Sequence, residues 1–160
     1  MNLSDLLNER TICCPLVSNN RNDAIQELLN CLQNLGYLSS TIKLYSYIEE
    51  LEDDHSTAAG KGVAYPHSTS IEVDDLLCVL GISRSGIDFN SPDNQLCHII
   101  LLSISADSEP GKHRKFITLF NSMISDSNIR TQFLDSVNSK EGANIIANWE
   151  QEQLLADDLE

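Results

Sequence analysis

The sequence predicts an α/β fold, a single domain with a mixed β-sheet flanked by α-helices. Three observations lead there. The chain has 160 residues, enough for one domain with its own core. Its apolar residues follow a helical period in the first third, gather into short continuous runs in the middle, and return to helical period at the end. The resulting order, helices then strands then helices, suits helices packed on a sheet.

The elements follow in chain order. In "NDAIQELLNCLQNLGYL", Ile25, Leu28, Leu29, Leu32 and Leu35 recur at helical spacing. Asn22 or Asp23 is the expected cap, and Gly36 the left-handed stop. "SSTIKLYSYIEELEDD" opens with serine caps and sets Leu44, Tyr45, Ile48 and Leu51 on one face of a second helix. "LLCVLGIS" (76–83) and "LCHIILLSI" (96–104) are short apolar runs and read as buried strands. Between them, "SRSGIDFNSPDNQ" reads as turns around at most a short strand. "PGKHRKFITLFNSMIS" sets Phe116, Leu119, Phe120, Met123 and Ile124 on one face, with Met123 in the core. "SNIRTQFLDSV" and "SKEGANIIANWEQ" continue as helices, and Trp149 packs the last of them. The domain is expected over residues 1–150, with 151–160 as an acidic C-terminal tail.

Charge and cysteine usage exclude several classes. The net charge of −14 opposes binding to nucleic acid or an anionic membrane surface and suits a basic protein partner. The start, "MNLSDLLNER", lacks a basic segment leading into an apolar one, and the longest apolar patch is far short of the ~20 residues that cross a bilayer. The expected location is cytoplasmic. The five cysteines, Cys13, Cys14, Cys31, Cys78 and Cys97, are odd in number and lack zinc-site spacing. Reduced, mostly buried thiols are expected, with no metal and no cofactor.

The stretch "STAAGKGVAYPHSTS" (56–70) stands out. Gly60 and Gly62 bracket Lys61, but neither nucleotide-binding pattern fits. A P-loop needs a glycine where His55 stands, and a dinucleotide fingerprint needs one at Tyr65. What remains is a loop with accessible backbone N–H groups running into "VAYPH". Pro66 fixes its own φ and biases Tyr65 toward extended backbone, so His67 is presented from a stiff segment. A neutral imidazole held by one nitrogen is nucleophilic at the other, and backbone N–H groups can hold phosphoryl oxygens. A Pro-His turn also serves as plain structure, so the pattern needs a second feature. That feature is His113 in "EPGKHRKF", in the first turn of a helix whose N-terminus favours anions. Near His67 it would donate to a phosphoryl oxygen; elsewhere it is an exposed helix-start histidine. His98 lies in an apolar strand and reads as a packed histidine. His55 reads as solvated beside Asp53 and Asp54.

These residues carry a resemblance. Ser56-Thr57, Gly60 and Gly62-Val63-Ala64-Tyr65-Pro66-His67, then Ile87-Asp88-Phe89, Asp93-Asn94-Gln95 and a helix led by His113, stand in the order of a known family. Over roughly residues 3–149 the chain resembles the IIA component of the bacterial sugar phosphotransferase system, of the fructose–mannitol class that includes the nitrogen-regulatory member. The resemblance implies a phosphohistidine-forming phosphocarrier. His67 would be the acceptor, His113 would stabilise the phosphoryl group, and Ser56, Thr57, Gly60, Lys61 and Gly62 would form the phosphoryl-binding loop. The implied donor is HPr or a nitrogen-branch HPr homologue. Lacking an attached permease, the chain is expected to be of the stand-alone regulatory type, with its target open. Two positions depart from the family pattern. Leu51 stands where an arginine is usual, before Glu52, and Ser68 replaces the glycine after the histidine. Lys61 is the expected partial substitute for the arginine. The alternative is a regulatory module that docks on another protein with slow or absent phosphotransfer.

Overall fold

Two long strands organise the computed structural model, which describes residues 1–159. Numbered in chain order, the strands are β1 (Ile12–Cys13), β2 (Ala58–Gly60), β3 (Val63–Ala64), β4 (His67–Ser70), β5 (Leu77–Ile87) and β6 (Cys97–Ala106). The helices are α1 (Arg21–Asn34), α2 (Ile42–Asp54), α3 (Pro110–Ile124), α4 (Ser127–Asp135) and α5 (Ser139–Asp158), preceded by a 3-10 turn at Leu3–Asp5. β5 and β6 pair antiparallel at the centre of the sheet. β1 adds to β5 in parallel. Both β3 and β4 add in parallel to the other side of β6, and β2 pairs antiparallel with β3. The expected mixed sheet with flanking helices is the fold observed.

Strand alternation divides the core in two, because successive side chains point to opposite faces. Val79, Ile100, Leu102 and Ile104 join a cluster with Ile25, Leu28, Leu29 and Ile48 of α1 and α2. Leu80, Ile82, Ile99 and Leu101 join Phe116, Phe120, Phe133 and Ile146 of α3, α4 and α5 on the other face. Met123 is buried and Trp149 packs partly against this second cluster, as read from the sequence. Each fully buried leucine, isoleucine or phenylalanine contributes roughly 1.5–3 kcal/mol. Both faces being covered explains why the central strands read as continuous apolar runs.

Local details differ from the sequence reading in physically simple ways. The cap of α1 is Asn20, whose side chain accepts from the Asp23 N–H at 2.8 Å, so the helix begins before Asn22 and Asp23. Gly36 does take the left-handed stop, at φ +86°. At the start of α2, Thr41 occupies the cap position without a side-chain hydrogen bond, and the Ser40 hydroxyl accepts only a 3.4 Å contact from the Ile42 N–H. Leu51, expected on the buried face of α2, is exposed; Glu52 is buried instead. β5 runs on to Ile87 through residues expected as turns, and a register shift between Ile82 and Ile87 absorbs the extra length. Of the five free cysteines, Cys78 and Cys97 are buried while Cys13, Cys14 and Cys31 are half-buried, fewer than expected in the core. Residues 151–158 continue α5 with exposed side chains, and the last residue of the expected tail, Glu160, lies outside the described residues. Among the described residues, no helix is long and apolar enough to cross a membrane.

Candidate functional site

The register of β4 on β6 brings the two singled-out histidines together. His67, first residue of β4, pairs with Ser103 of β6. Paired residues of a ladder project to the same face, and Ser103 follows Ile99 and Leu101 onto the face that α3 covers. α3 begins at Pro110 with the first helical residue fixed in φ, and so presents His113 within its first two turns. The His67 and His113 rings lie 5.4 Å apart between centroids and are tilted by 40°.

His67 is exposed, and its Nδ1 lies 2.8 Å from the Tyr65 carbonyl oxygen. A carbonyl only accepts, so Nδ1 carries the proton and donates it; Nε2 keeps its lone pair. The Tyr65 carbonyl is itself held in place. The Tyr65 N–H donates to the Thr57 carbonyl at 3.3 Å and to the Thr57 hydroxyl oxygen at 3.2 Å. The Thr57 hydroxyl donates to Glu52, whose carboxylate also accepts the Thr57 N–H at 3.1 Å. At the far end of Tyr65 the phenol donates to Asn121, and the ring meets Phe120 edge-on at 6.0 Å. Burial pushes this phenol up to about 12, so it stays protonated. A tyrosine fixed at both ends gives the following proline and histidine a rigid base.

His113 is half-buried, and its Nε2 lies 3.1 Å from the Ser103 hydroxyl. Ser103 is fully buried, and a buried hydroxyl proton requires an acceptor. His113 Nε2 is the acceptor in reach, so the serine donates to it and the imidazole proton resides on Nδ1. Burial, and then the charge of nearby His67, lower the His113 pKa from 6.5. At pH 7 the ring is therefore neutral, with Nδ1–H as its donor. Together the pair offers a free nucleophilic nitrogen on one ring and a neutral N–H donor on the next.

The expected phosphoryl-binding loop has a second occupation. Ser56 donates its hydroxyl to the Phe89 carbonyl and accepts the Ala58 N–H at 3.1 Å. The Lys61 N–H donates to Asp93 Oδ2 at 2.9 Å, across a turn where Gly60, Lys61 and Gly62 all have positive φ. The chain's own Asp93 thus occupies the mouth of this turn, and a side chain at Gly60 would lie 3.2 Å from that carboxylate. Hydrogen bonds from Ser91, and then from the Lys61 and Gln95 N–H groups, hold Asp93 below the usual carboxylate range. The Gly62 carbonyl accepts from His98 and Ile99, which ties the loop to β6. The N–H groups of Thr57 and Lys61, expected to face a phosphoryl group, are thus engaged by carboxylates because the loop must be pinned to present Tyr65–His67.

The remaining sequence candidates separate cleanly. Among the described residues the ion pairs are Arg21–Asp53 and Lys112–Asp75, and neither involves Lys61, which is exposed. Leu51 is 47% exposed and carries no charge to the site. His98 is half-buried and donates from Nδ1 to the Ser83 carbonyl at 2.8 Å. His55 caps the exposed end of α2. Ser68 is buried, bonded to the Thr69 carbonyl at 3.0 Å. Sequence reading assigned no role to Ser103 or to Glu52. Both had a signal: Ser103 interrupts an apolar strand, and Glu52 follows Leu44 and Ile48 at helical spacing on the buried face.

A profile of the family described as "Phosphoenolpyruvate-dependent sugar phosphotransferase system, EIIA 2" matches residues 5–149. The fructose-specific EIIABC component of Bacillus subtilis is 25% identical over 136 residues, covering 85% of this chain and 21% of that protein. The 2-O-alpha-mannosyl-D-glycerate-specific EIIABC component of Escherichia coli is 25% identical over 134 residues, 82% of this chain and 20% of that one. The chain thus spans about a fifth of the length of these curated relatives. In structure it is similar to the nitrogen regulatory protein IIA-Ntr of Neisseria meningitidis, with TM-score 0.81, 19% identity, and 90% and 98% of the two chains covered. It is also similar to the mannitol IIA of Escherichia coli, with TM-score 0.73, 17% identity, and 88% and 98% covered.

Proposed function

The chain belongs to the EIIA 2 family of the phosphoenolpyruvate-dependent sugar phosphotransferase system, and from that membership we propose that it is a phosphocarrier whose acceptor is Nε2 of His67. The observation that supports this most is the hydrogen bond from His67 Nδ1 to the Tyr65 carbonyl, which leaves Nε2 unprotonated and exposed. A phosphohistidine on the donor is attacked in line. The new P–N bond forms at His67 Nε2 as the donor's P–N bond breaks, so the protein's work is positioning and charge stabilisation. His113 donates from Nδ1 to a phosphoryl oxygen. Ser56, Thr57, Gly60, Lys61 and Gly62 hold the backbone that carries Tyr65, Pro66 and His67.

The proposed donor is HPr or a nitrogen-branch HPr homologue, whose basic surface suits a chain of net charge −14. Onward transfer would go to a IIB-type protein; a complex of the mannitol IIA with phosphorylated IIB is known for the Escherichia coli protein. We place the output in regulation, because the chain has Leu51 where the family has an arginine, a cation that would support the site or the downstream contact. Phosphorylation adds up to about two negative charges, enough to switch a docking surface on or off. Lys61 is the proposed partial substitute for the missing cation. Lys61→Ala then slows phosphoryl uptake roughly threefold to tenfold, and an unchanged rate removes Lys61 from the site.

The decisive experiment incubates the protein with phosphoenolpyruvate, enzyme I and HPr, or the nitrogen-branch carriers. Intact mass and ³¹P NMR are read for an acid-labile phosphohistidine. Uptake of one phosphoryl group, absent in His67→Ala, is the expected result. No label with either carrier would overturn the phosphocarrier reading in favour of a docking module.

A further inference from the structure

We propose that the groove running from the outer face of α3 to the end of α5 is the docking surface for a second copy of this chain, related to the first by a two-fold axis. The groove starts on α3, where Gly111, Arg114, Lys115, Thr118, Leu119 and Ser122 line it. That spacing is one face of the helix, turned away from buried Phe116, Phe120 and Met123. Met1, Leu119 and Ser122 carry the groove on to α5, where it passes Trp149 and reaches Leu154 and Asp157. Leu154 and Asp157 continue the helix face on which Ile146 is buried two turns earlier. Past the body of the domain that face has no cover, and Leu154 is 60% exposed.

Charge identifies what covers it. Arg114 and Lys115 are exposed at one end, and neither enters an ion pair among the described residues. At the other end Asp157 is exposed, with Asp158 beside it. Glu150, also in the groove, is already engaged: its carboxylate accepts the Leu3 and Ser4 N–H groups at 2.8 and 3.0 Å. A partner bearing a single sign of charge is repelled at one end or the other. A groove that is basic at one end, apolar at the middle and acidic at the far end is complementary to itself turned end for end.

The two-fold arrangement follows. The axis passes near Met1 and Leu119, which places Arg114 and Lys115 of each copy against Asp157 and Asp158 of the other. Leu154 is covered twice over, once in each half. The net charge of −14 opposes association in any other orientation, since most surface pairs of two such chains repel. His67 and His113 do not line the groove, so this surface is separate from the histidine pair.

The test is sedimentation velocity of the full chain over a dilution series. A dimer at high micromolar concentration is expected, dissociating on dilution. Trp149 is the chain's one tryptophan and lies in the groove, so its emission should shift to the red over the same range. Leu154→Ala weakens the dimer about tenfold or more. Arg114→Glu with Lys115→Glu gives one monomeric variant, and Asp157→Lys with Asp158→Lys gives another. All four side chains are exposed, and each new charge suits the helix end it occupies. Mixed in equal amounts, the two variants recover a dimer of one copy of each, because both contacts again pair opposite charges. A wild-type chain that stays monomeric throughout overturns the proposal. So does a dimer that both charge variants leave intact, or a failure of the two variants to pair on mixing. Should a charge variant fail to fold by circular dichroism, Leu154→Ala decides, and an unchanged dimer affinity there overturns the proposal.

Discussion

His67 and His98 each donate from Nδ1 to a backbone carbonyl at 2.8 Å, of Tyr65 and Ser83 respectively. The two hydrogen bonds fix the same tautomer and leave Nε2 without a proton in both rings. Their surroundings then diverge. The Nε2 of His67 is on an exposed ring beside a second imidazole. The Nε2 of His98 faces Gly86, where a β-carbon would come within 3.1 Å of it. Fixing a tautomer is therefore common to a packed histidine and to the proposed acceptor. What distinguishes His67 is room for an incoming group and a neighbouring donor to meet its charge.

The largest effect that can break this comparison is the exchange of outcomes between the two alanine variants. His67→Ala abolishes phosphoryl uptake by intact mass and leaves stability nearly unchanged, since the side chain is exposed. His98→Ala does the reverse. It retains uptake and loses about 1–3 kcal/mol in urea unfolding, because the Ser83 carbonyl loses its donor and the packed ring leaves a gap. Uptake lost in both variants would mean that His98 communicates with the site through the Gly62 carbonyl and the loop.

The second imidazole comes next in size. His113→Ala removes a preorganised donor, and single donors to a developing charge contribute about 10²–10³ in rate. Single-turnover uptake slowed by that factor, with the final stoichiometry unchanged, is the expected result. A rate equal to wild type would reduce His113 to a helix-start residue that happens to lie near His67.

Gly86 sharpens the structural half. Its φ is +85°, and an added β-carbon would lie 2.7 Å from Leu96 Cβ and 3.0 Å from His98 Cε1. Both the backbone strain and the collision act on Gly86→Ala, so a loss of about 2 kcal/mol is expected by thermal or urea unfolding. Phosphoryl uptake at the proposed acceptor keeps its rate, since His67 pairs with Ser103, further along β6 than His98.

Both histidines were visible in the sequence, and so was the sheet between helices. The change of apolar period gave the architecture because both faces of β5 and β6 are covered. The Pro-His dipeptide marked the site because proline stiffens whatever follows it. What could not be read was which residues would stand beside each other across the ladder. The register that sets His67 opposite Ser103 depends on β4 adding to β6 beyond β3, a pairing between segments far apart in the chain. The fate of the loop was hidden for the same reason. Gly60-Lys61-Gly62 looked like an open cradle, and only the fold brings Asp93 into it. Likewise Glu52 reads as one more acid of a solvated helix end until Thr57 is seen to need its carboxylate.

The smallest predicted effect concerns Ser103, and it reports directly on the proton of His113. In the native chain the serine donates to Nε2, so ¹⁵N NMR should show the His113 proton on Nδ1. The ring should also titrate below the ordinary 6.5, since burial and then the charge of His67 lower its pKa. The unfolded imidazole takes up its proton first, so this group costs stability as the pH falls through 6.5. Ser103→Ala removes a hydrogen bond made to the neutral ring, which moves the titration up toward the ordinary value and lets the proton occupy either nitrogen. Uptake at pH 7 then slows by about twofold to tenfold, as expected for one neutral hydrogen bond acting through another residue. A slower rate with an unmoved titration and tautomer would show that the serine only packs the strand.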